Sequence, residues 1–172
     1  PEERLAVLRA AGPVFCAGLD LKTPDAALAE SAIEPMLRAV EAYPLPVVAV
    51  VQGDAIAGGN ELALHCDLVV ASTSARFGMS LAQIGLAPSW FLAKKLLEVA
   101  GPVTTRKMLF LGDPLPASRL YDLGAISHLA SPEALEATAD EVIRRLTANA
   151  PLSLRAMKAV LVREMAFRDG IA

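Results

Sequence analysis

Charge, aromatic rings and histidine are all scarce in this sequence. Only 20% of its 172 residues are charged, 5% are aromatic, and there are 2 histidines and 2 cysteines. His65 and His128 are too few and too isolated for a histidine-based metal site. Cys16 and Cys66 lack CxxC spacing and sit in apolar surroundings, which suits reduced core thiols in a cytoplasmic protein. No basic run is present and the net charge is −3, which argues against nucleic acid as the main partner. Long hydrophobic runs are missing too. None reaches the ~18 uncharged apolar residues that a membrane span needs, so a membrane is not expected as a partner. The sequence opens on Pro1-Glu2-Glu3-Arg4, with neither an initiator methionine nor a signal-peptide pattern. Both ends are abrupt, and the expectation is a segment of a longer protein.

What the chain does have is apolar residues, 54% of the total, with a mean hydropathy of +0.44. That surplus reads as one domain core plus a subunit interface. Leu5 to Leu8 reads as a short buried strand, and 14–21 as a strand edge running into a tight turn. Ala26 to Ala42 has helical spacing, but Pro35 interrupts it and predicts one shorter helix after Glu34. Val47 to Val51 is a continuous apolar run, the mark of a strand buried on both faces. Residues 53–60 read as a small-residue loop, 61–66 as a helix, 67–71 as a strand and 76–79 as a short extended piece. Helices are expected at about 89–100, 103–111, 116–122, 133–149 and 152–168, with a strand at 125–129. Strands interleaved with helices early, and helices alone late, indicate an α/β core with a helical C-terminal part.

Chemistry concentrates in two places. Gly58-Gly59 follows a buried strand and opens a helix with Glu61 in its first turn. Free N–H groups there would face outward, and glycine lets a ligand come close to the backbone. The alternative is a plain strand-to-helix turn in which Glu61 only complements the helix dipole. The second place is Gly18 beside Asp20, which by itself is readable as a turn. Ser80 lacks the second glycine of a nucleophile elbow. His65 reads as a packed or partly exposed histidine, Asp67 as a structural carboxylate bonding loop backbone, and Asp113 as a turn residue. Trp90, Phe91, Leu92, Leu96 and Leu97 read either as helix-core packing or as an acyl-pocket wall.

Taken together, FCAGLDL at 15–21, VQGDAIAGGNELALHCDLVVAS at 51–72, ARFGMSLAQIGLAP at 75–88 and GDPLPASRLYDLGAISHLA at 112–130 resemble the enoyl-CoA hydratase/isomerase (crotonase) family. Several motifs in order are far more specific than any one. The resemblance implies a crotonase-like (ClpP/crotonase) α/β superhelix of ββα units with a helical C-terminal trimerisation region. It implies a single domain over 1–172 that lacks the family's N-terminal strands and last C-terminal helices. The assembly implied is a homo-oligomer, a trimer or a dimer of trimers.

The same resemblance implies an acyl-CoA thioester as partner, with coenzyme A entering as part of the substrate and no permanently bound cofactor. It places oxyanion-hole donors at the backbone N–H groups of Leu19 and Gly58, each typically worth ~3 kcal/mol of transition-state stabilisation. Glu61 matches the family's first catalytic glutamate, an acid/base at the α and β carbons. Ala17, Leu19 and Leu21 fall where the family's backbone meets coenzyme A. Asp20 and Gly59 belong to the same turns, and Lys22 reads as a phosphate neighbour or a solvated lysine. Leu81 stands where hydratases of the family carry a second glutamate. It cannot transfer a proton, so hydration, a 1,3 proton shift, other enolate chemistry such as decarboxylation or C–C cleavage, and acyl-CoA binding with little turnover all stay open.

Overall fold

The computed structural model describes residues 3–20, 22 and 26–169, apart from the side chains of 26–32 and 164–169. Among the described residues, eight strands fall in two four-stranded sheets. The first holds β1 (Ala6–Leu8), β3 (Val47–Val51), β5 (Leu68–Ser72) and β8 (His128–Ala130) in that order, all parallel. The second holds β2 (Val14–Cys16), β4 (Asp54–Ile56), β6 (Arg76–Gly78) and β7 (Leu115–Pro116), with β7 antiparallel to β6. The chain visits the two sheets alternately and then leaves by a helix. β1 and β2 lead to α1 (Ala26–Ala42), β3 and β4 to α2 (Gly58–Leu64), and β5 and β6 to α3 (Trp90–Arg106). The last helices are α4 (Ala117–Asp122), α5 (Leu135–Ala148) and α6 (Pro151–Asp169). This is a superhelix of ββα windings, as the sequence led us to expect.

β3 explains why an unbroken apolar run is needed. Val47, Ala49 and Val51 face the main core with Phe15, Ala63, Phe77 and Leu96, while Val48 and Val50 pack with Val70 against Leu135, Ala139 and Val142 of α5. A strand covered on both faces has no polar side to show.

Several expectations need correction. α1 runs through Pro35 rather than starting after Glu34. An interior proline costs ~3 kcal/mol, but its flanks here are alanine, leucine, glutamate and methionine, which favour helix. The segment 53–60 is not all loop: Asp54–Ile56 forms β4, and α2 begins at Gly58 rather than Glu61. Gly53, just before β4, is bare because the Pro13 carbonyl crowds it. A Cβ on Gly53 would lie 1.9 Å from the Pro13 carbonyl oxygen. The strand β1 is half-buried along its length rather than buried, since it edges its sheet among the described residues. The two helices expected at 89–100 and 103–111 are joined through Gly101, whose backbone (φ 73°, ψ 167°) leaves the helical region before Pro102 restarts it.

Asp67 plays the structural part expected of it. Its Oδ2 accepts the backbone N–H of Val47 at 2.7 Å and the Lys158 ammonium at 2.6 Å. Lys158 is 6% exposed and also donates to the Leu45 carbonyl at 3.0 Å, tying α6 to the start of β3. Lys158→Met is expected to lower the unfolding free energy by about 2 kcal/mol, since the hydrogen bonds from the ammonium to Asp67, Leu45 and Val40 are lost. Urea denaturation would show a lower midpoint with an unchanged slope.

Candidate functional site

The ends of β2 and β4 run side by side, with Cys16 in register with Ala55. Just beyond them the backbone of 16–18 touches the backbone of 57–59. A Cβ on Gly59 would stand 2.0 Å from the Cys16 carbonyl oxygen, so only glycine fits. Gly18 has φ +88°, and a Cβ there would lie 3.0 Å from the Gly58 nitrogen. Any side chain at 18 would thus be strained and would cover the Gly58 amide. With glycine at 18, no side chain from that position covers the Gly58 N–H. Ala57 is the one non-glycine residue with positive φ among those described, at 50°, and its own N–H is bonded to the Gly78 carbonyl at 2.8 Å. Strain of this kind is tolerated where the surroundings over-determine the backbone.

α2 is 7 residues long, and its first intrahelical bond is Glu61 N–H to the Ala57 carbonyl at 3.1 Å. The amides of Gly58, Gly59 and Asn60 precede that bond. In so short a helix the local N–H groups matter, and a macrodipole adds little.

Glu61 is 0% exposed, and neither carboxyl oxygen has a hydrogen-bond partner. Burial pushes its carboxyl up to about 8; the Asn60 amide and the Lys95 cation oppose that without cancelling it. One turn on, His65 is also buried, 3% exposed, where the sequence left partial exposure open. Its Nδ1 donates to the Glu61 carbonyl at 2.7 Å and lies 3.7 Å from Glu61 Oε2. Burial pulls this imidazole down to about 4. Behind it Lys95 Nζ pairs with Glu41 Oε1 at 2.5 Å, and that oxygen is 3.9 Å from His65 Nε2. Neither Glu41 nor Lys95 stood out in the sequence. Their signal was faint: Lys95 sits among the apolar positions of α3, one turn after Phe91.

The remaining expected residues scatter. Ala17 is exposed and Leu19 half-buried. Asp20 Oδ1 accepts the backbone N–H of Lys22 at 3.0 Å, so this carboxylate closes a turn, and Lys22 is exposed. Leu21 lies outside the described residues. Leu81 opens a 3₁₀ turn (Leu81–Ile84) that ends on left-handed Gly85, and it packs half-buried against the main core. Of the pocket-wall candidates, Phe91 and Leu96 are core, Leu92 is half-buried, and Trp90 and Leu97 are exposed. Cys16 and Cys66 are both free thiols.

Two largely parallel sheets wound with helices in ββα units define a crotonase-like fold. Solved structures of that fold agree closely. An enoyl-CoA hydratase from Mycobacterium avium subsp. paratuberculosis matches with a TM-score of 0.86 and 32% identity, covering 94% of this chain and 66% of the other. An enoyl-CoA hydratase/carnithine racemase from Magnetospirillum magneticum matches at 0.85 and 27%, covering 93% and 63%. The family model described as enoyl-CoA hydratase/isomerase matches residues 1–171, and the chain belongs to that family. An enoyl-CoA isomerase/hydratase of Mycosarcoma maydis is 34% identical over 165 residues, 92% of this chain and 60% of that protein. The (E)-benzylidenesuccinyl-CoA hydratase of Thauera aromatica is 32% identical over 180 residues, 99% and 70% respectively. The chain therefore spans less than two thirds of the first of these relatives.

Two outcomes are expected. Gly59→Ala would force Cys16 away and lower stability by about 1–3 kcal/mol. Gly58→Ala would meet only the Gly18 Cα, at 3.4 Å, and should leave the melting temperature nearly unchanged. Differential scanning calorimetry compares the two. The second outcome concerns pH. A carboxyl raised from 4.5 to about 8 in the folded state binds its proton there while the unfolded chain has released it. Its contribution to stability is therefore full below pH 4.5 and is lost as pH rises through 8. His65, lowered from 6.5 to about 4, works oppositely: its contribution is full above 6.5 and lost as pH falls through 4. Between pH 6.5 and 8 only Glu61 acts, so wild type should lose stability over that window while Glu61→Gln stays flat, as read by urea midpoints.

Proposed function

We propose that this chain carries the acyl-CoA site of an enoyl-CoA hydratase/isomerase-type enzyme and that Glu61 moves the proton. The observation that carries this is the buried, unpartnered Glu61 carboxyl, raised to about 8, on the helix that opens at the uncovered Gly58 amide. In this reading the thioester oxygen accepts hydrogen bonds from the N–H groups of Leu19 and Gly58. Negative charge that develops on that oxygen makes the α-proton removable. Ala17, Lys22 and the turn closed by Asp20 line the coenzyme A side, Gly59 lets the two backbones close, and Leu81 walls the acyl side. Coenzyme A arrives as part of the substrate.

A carboxyl near 8 has both protonation states within reach at neutral pH, as an acid/base must. With Leu81 in place of a second carboxyl, the reaction this site supports best is a 1,3 proton shift in a 3-enoyl thioester. Glu61 takes a proton from C2, the electron pair spreads over a dienolate ending on the thioester oxygen, and Glu61 returns the proton at C4. The conjugated 2-enoyl thioester results, and the carboxyl is back in its starting state. Hydration would ask the same group both to deprotonate water at the β carbon and to protonate the α carbon.

A single domain that self-associates goes with this reading. Leu152, Met157, Val160 and Leu161 of α6 and Phe110 are each more than half exposed, a surface suited to other copies in a trimer or dimer of trimers.

The test follows the absorbance of the conjugated thioester with 3-enoyl-CoA and 2-enoyl-CoA supplied separately. Absorbance should rise with the 3-enoyl substrate, and Glu61→Gln should lower that rate at least a hundredfold. A fall with the 2-enoyl substrate would make the protein a hydratase in spite of Leu81. Binding of both thioesters without turnover would leave an acyl-CoA-binding protein, and full activity in Glu61→Gln would remove Glu61 from the chemistry.

A further inference from the structure

The geometry points to His65 as a positioning residue for Glu61, its ring clamped by Phe91 and by the Glu41–Lys95 ion pair so that one neutral tautomer faces the carboxyl. This rests on the reading of Glu61 as the proton-moving group and adds what holds and tunes it.

His65 lies one turn after Glu61 on α2, so both project from one face, and both side chains are 0% exposed. The Nδ1 proton is committed to the Glu61 carbonyl at 2.7 Å, which leaves the lone pair on Nε2. That nitrogen is buried without a hydrogen-bond partner among the described residues. It faces Glu41 of α1, whose Oε1 is held by Lys95 of α3. The lysine neutralises the carboxylate, which then does not draw a second proton onto the ring. Phe91 packs on the imidazole with centroids 5.0 Å apart, and the Arg38 guanidinium stands 4.1 Å over the Phe91 ring.

The charges around the ring are few. α1 contributes Arg38 and Glu41, α3 contributes Lys95 and Glu98, with Lys94 paired to Glu98, and α2 contributes Glu61. A ring kept for packing alone would serve better as leucine, because an unpaired buried nitrogen is destabilising. What the ring supplies is an N–H edge 3.7 Å from a buried carboxyl whose other polar neighbour is the Asn60 amide. Leu81 cannot take over that orientation.

The experiment uses folded protein carrying 13C at the glutamate carboxyls, with the Glu61 signal assigned by its loss in Glu61→Gln. Its titration is compared in wild type, His65→Leu and His65→Asn, together with kcat and KM on whichever enoyl-CoA turns over. His65→Leu removes the N–H edge and should move the Glu61 titration up by about half a pH unit or more. Its kcat should fall about tenfold with KM retained. His65→Asn puts an amide N–H where Nδ1–H stood and should return both toward wild type. Should His65→Leu not fold, Glu41→Gln bares the Lys95 charge and should move the Glu61 titration down. An unmoved titration in every folded variant, or a lower kcat that His65→Asn does not restore, makes His65 a packing residue and overturns the assignment. If Glu61→Gln keeps full turnover, the reading of Glu61 as proton carrier fails instead, whatever the titration does.

Discussion

The structure turns on a contact between two stretches of bare backbone. Where β2 ends and α2 begins, the chain offers no side chain at Gly18, Gly58 or Gly59, and the Cys16 carbonyl comes so close to Gly59 that a methyl group would overlap it. Everything around the site is arranged to permit that approach. The parallel pairing of β2 with β4 brings the two segments level, and the bond from Ala57 N–H to the Gly78 carbonyl holds the strained corner from the next winding. The close approach is a matter of steric exclusion, and at Gly18 and Gly59 it leaves no room for a side chain.

Behind that contact lies a second constraint, the placing of charge where water does not reach. Glu61, His65, Glu41 and Lys95 come from three helices and form one buried polar layer. The carboxyl stays largely protonated near neutral pH, the imidazole stays neutral, and the Glu41–Lys95 ion pair closes the layer. A low-dielectric interior makes each of these states depend on the others, because adding or removing one proton changes the field on the rest.

Much of this was legible from the residues. The apolar run of β3, the glycine pair before Glu61 and the apolar spacing of α3 carry local signals strong enough to survive without tertiary information. The break between the halves of α3 was visible in Gly101-Pro102. What escaped were features set by distant neighbours. β4 read as loop because it is only three residues long and follows Gly53, which is bare because the Pro13 carbonyl crowds it. α1 passed through Pro35 because one lost hydrogen bond does not outweigh a run of good helix formers. Glu41 and Lys95 looked like ordinary charges on two helices, since nothing in the spacing of either reveals that they meet across the core. Asp20 could be read toward coenzyme A or toward the turn it closes, and its bond to the Lys22 amide establishes the second role without excluding the first.

The order of the windings has an evolutionary consequence. The bare-backbone contact and Glu61 belong to the first two windings, whereas Leu81 belongs to the third, on a short turn closed by Gly85. None of the atoms that crowd Gly18, Gly58 or Gly59 comes from that turn. Distinct windings therefore let the residue at position 81 and the bare-backbone contact be inherited independently of each other.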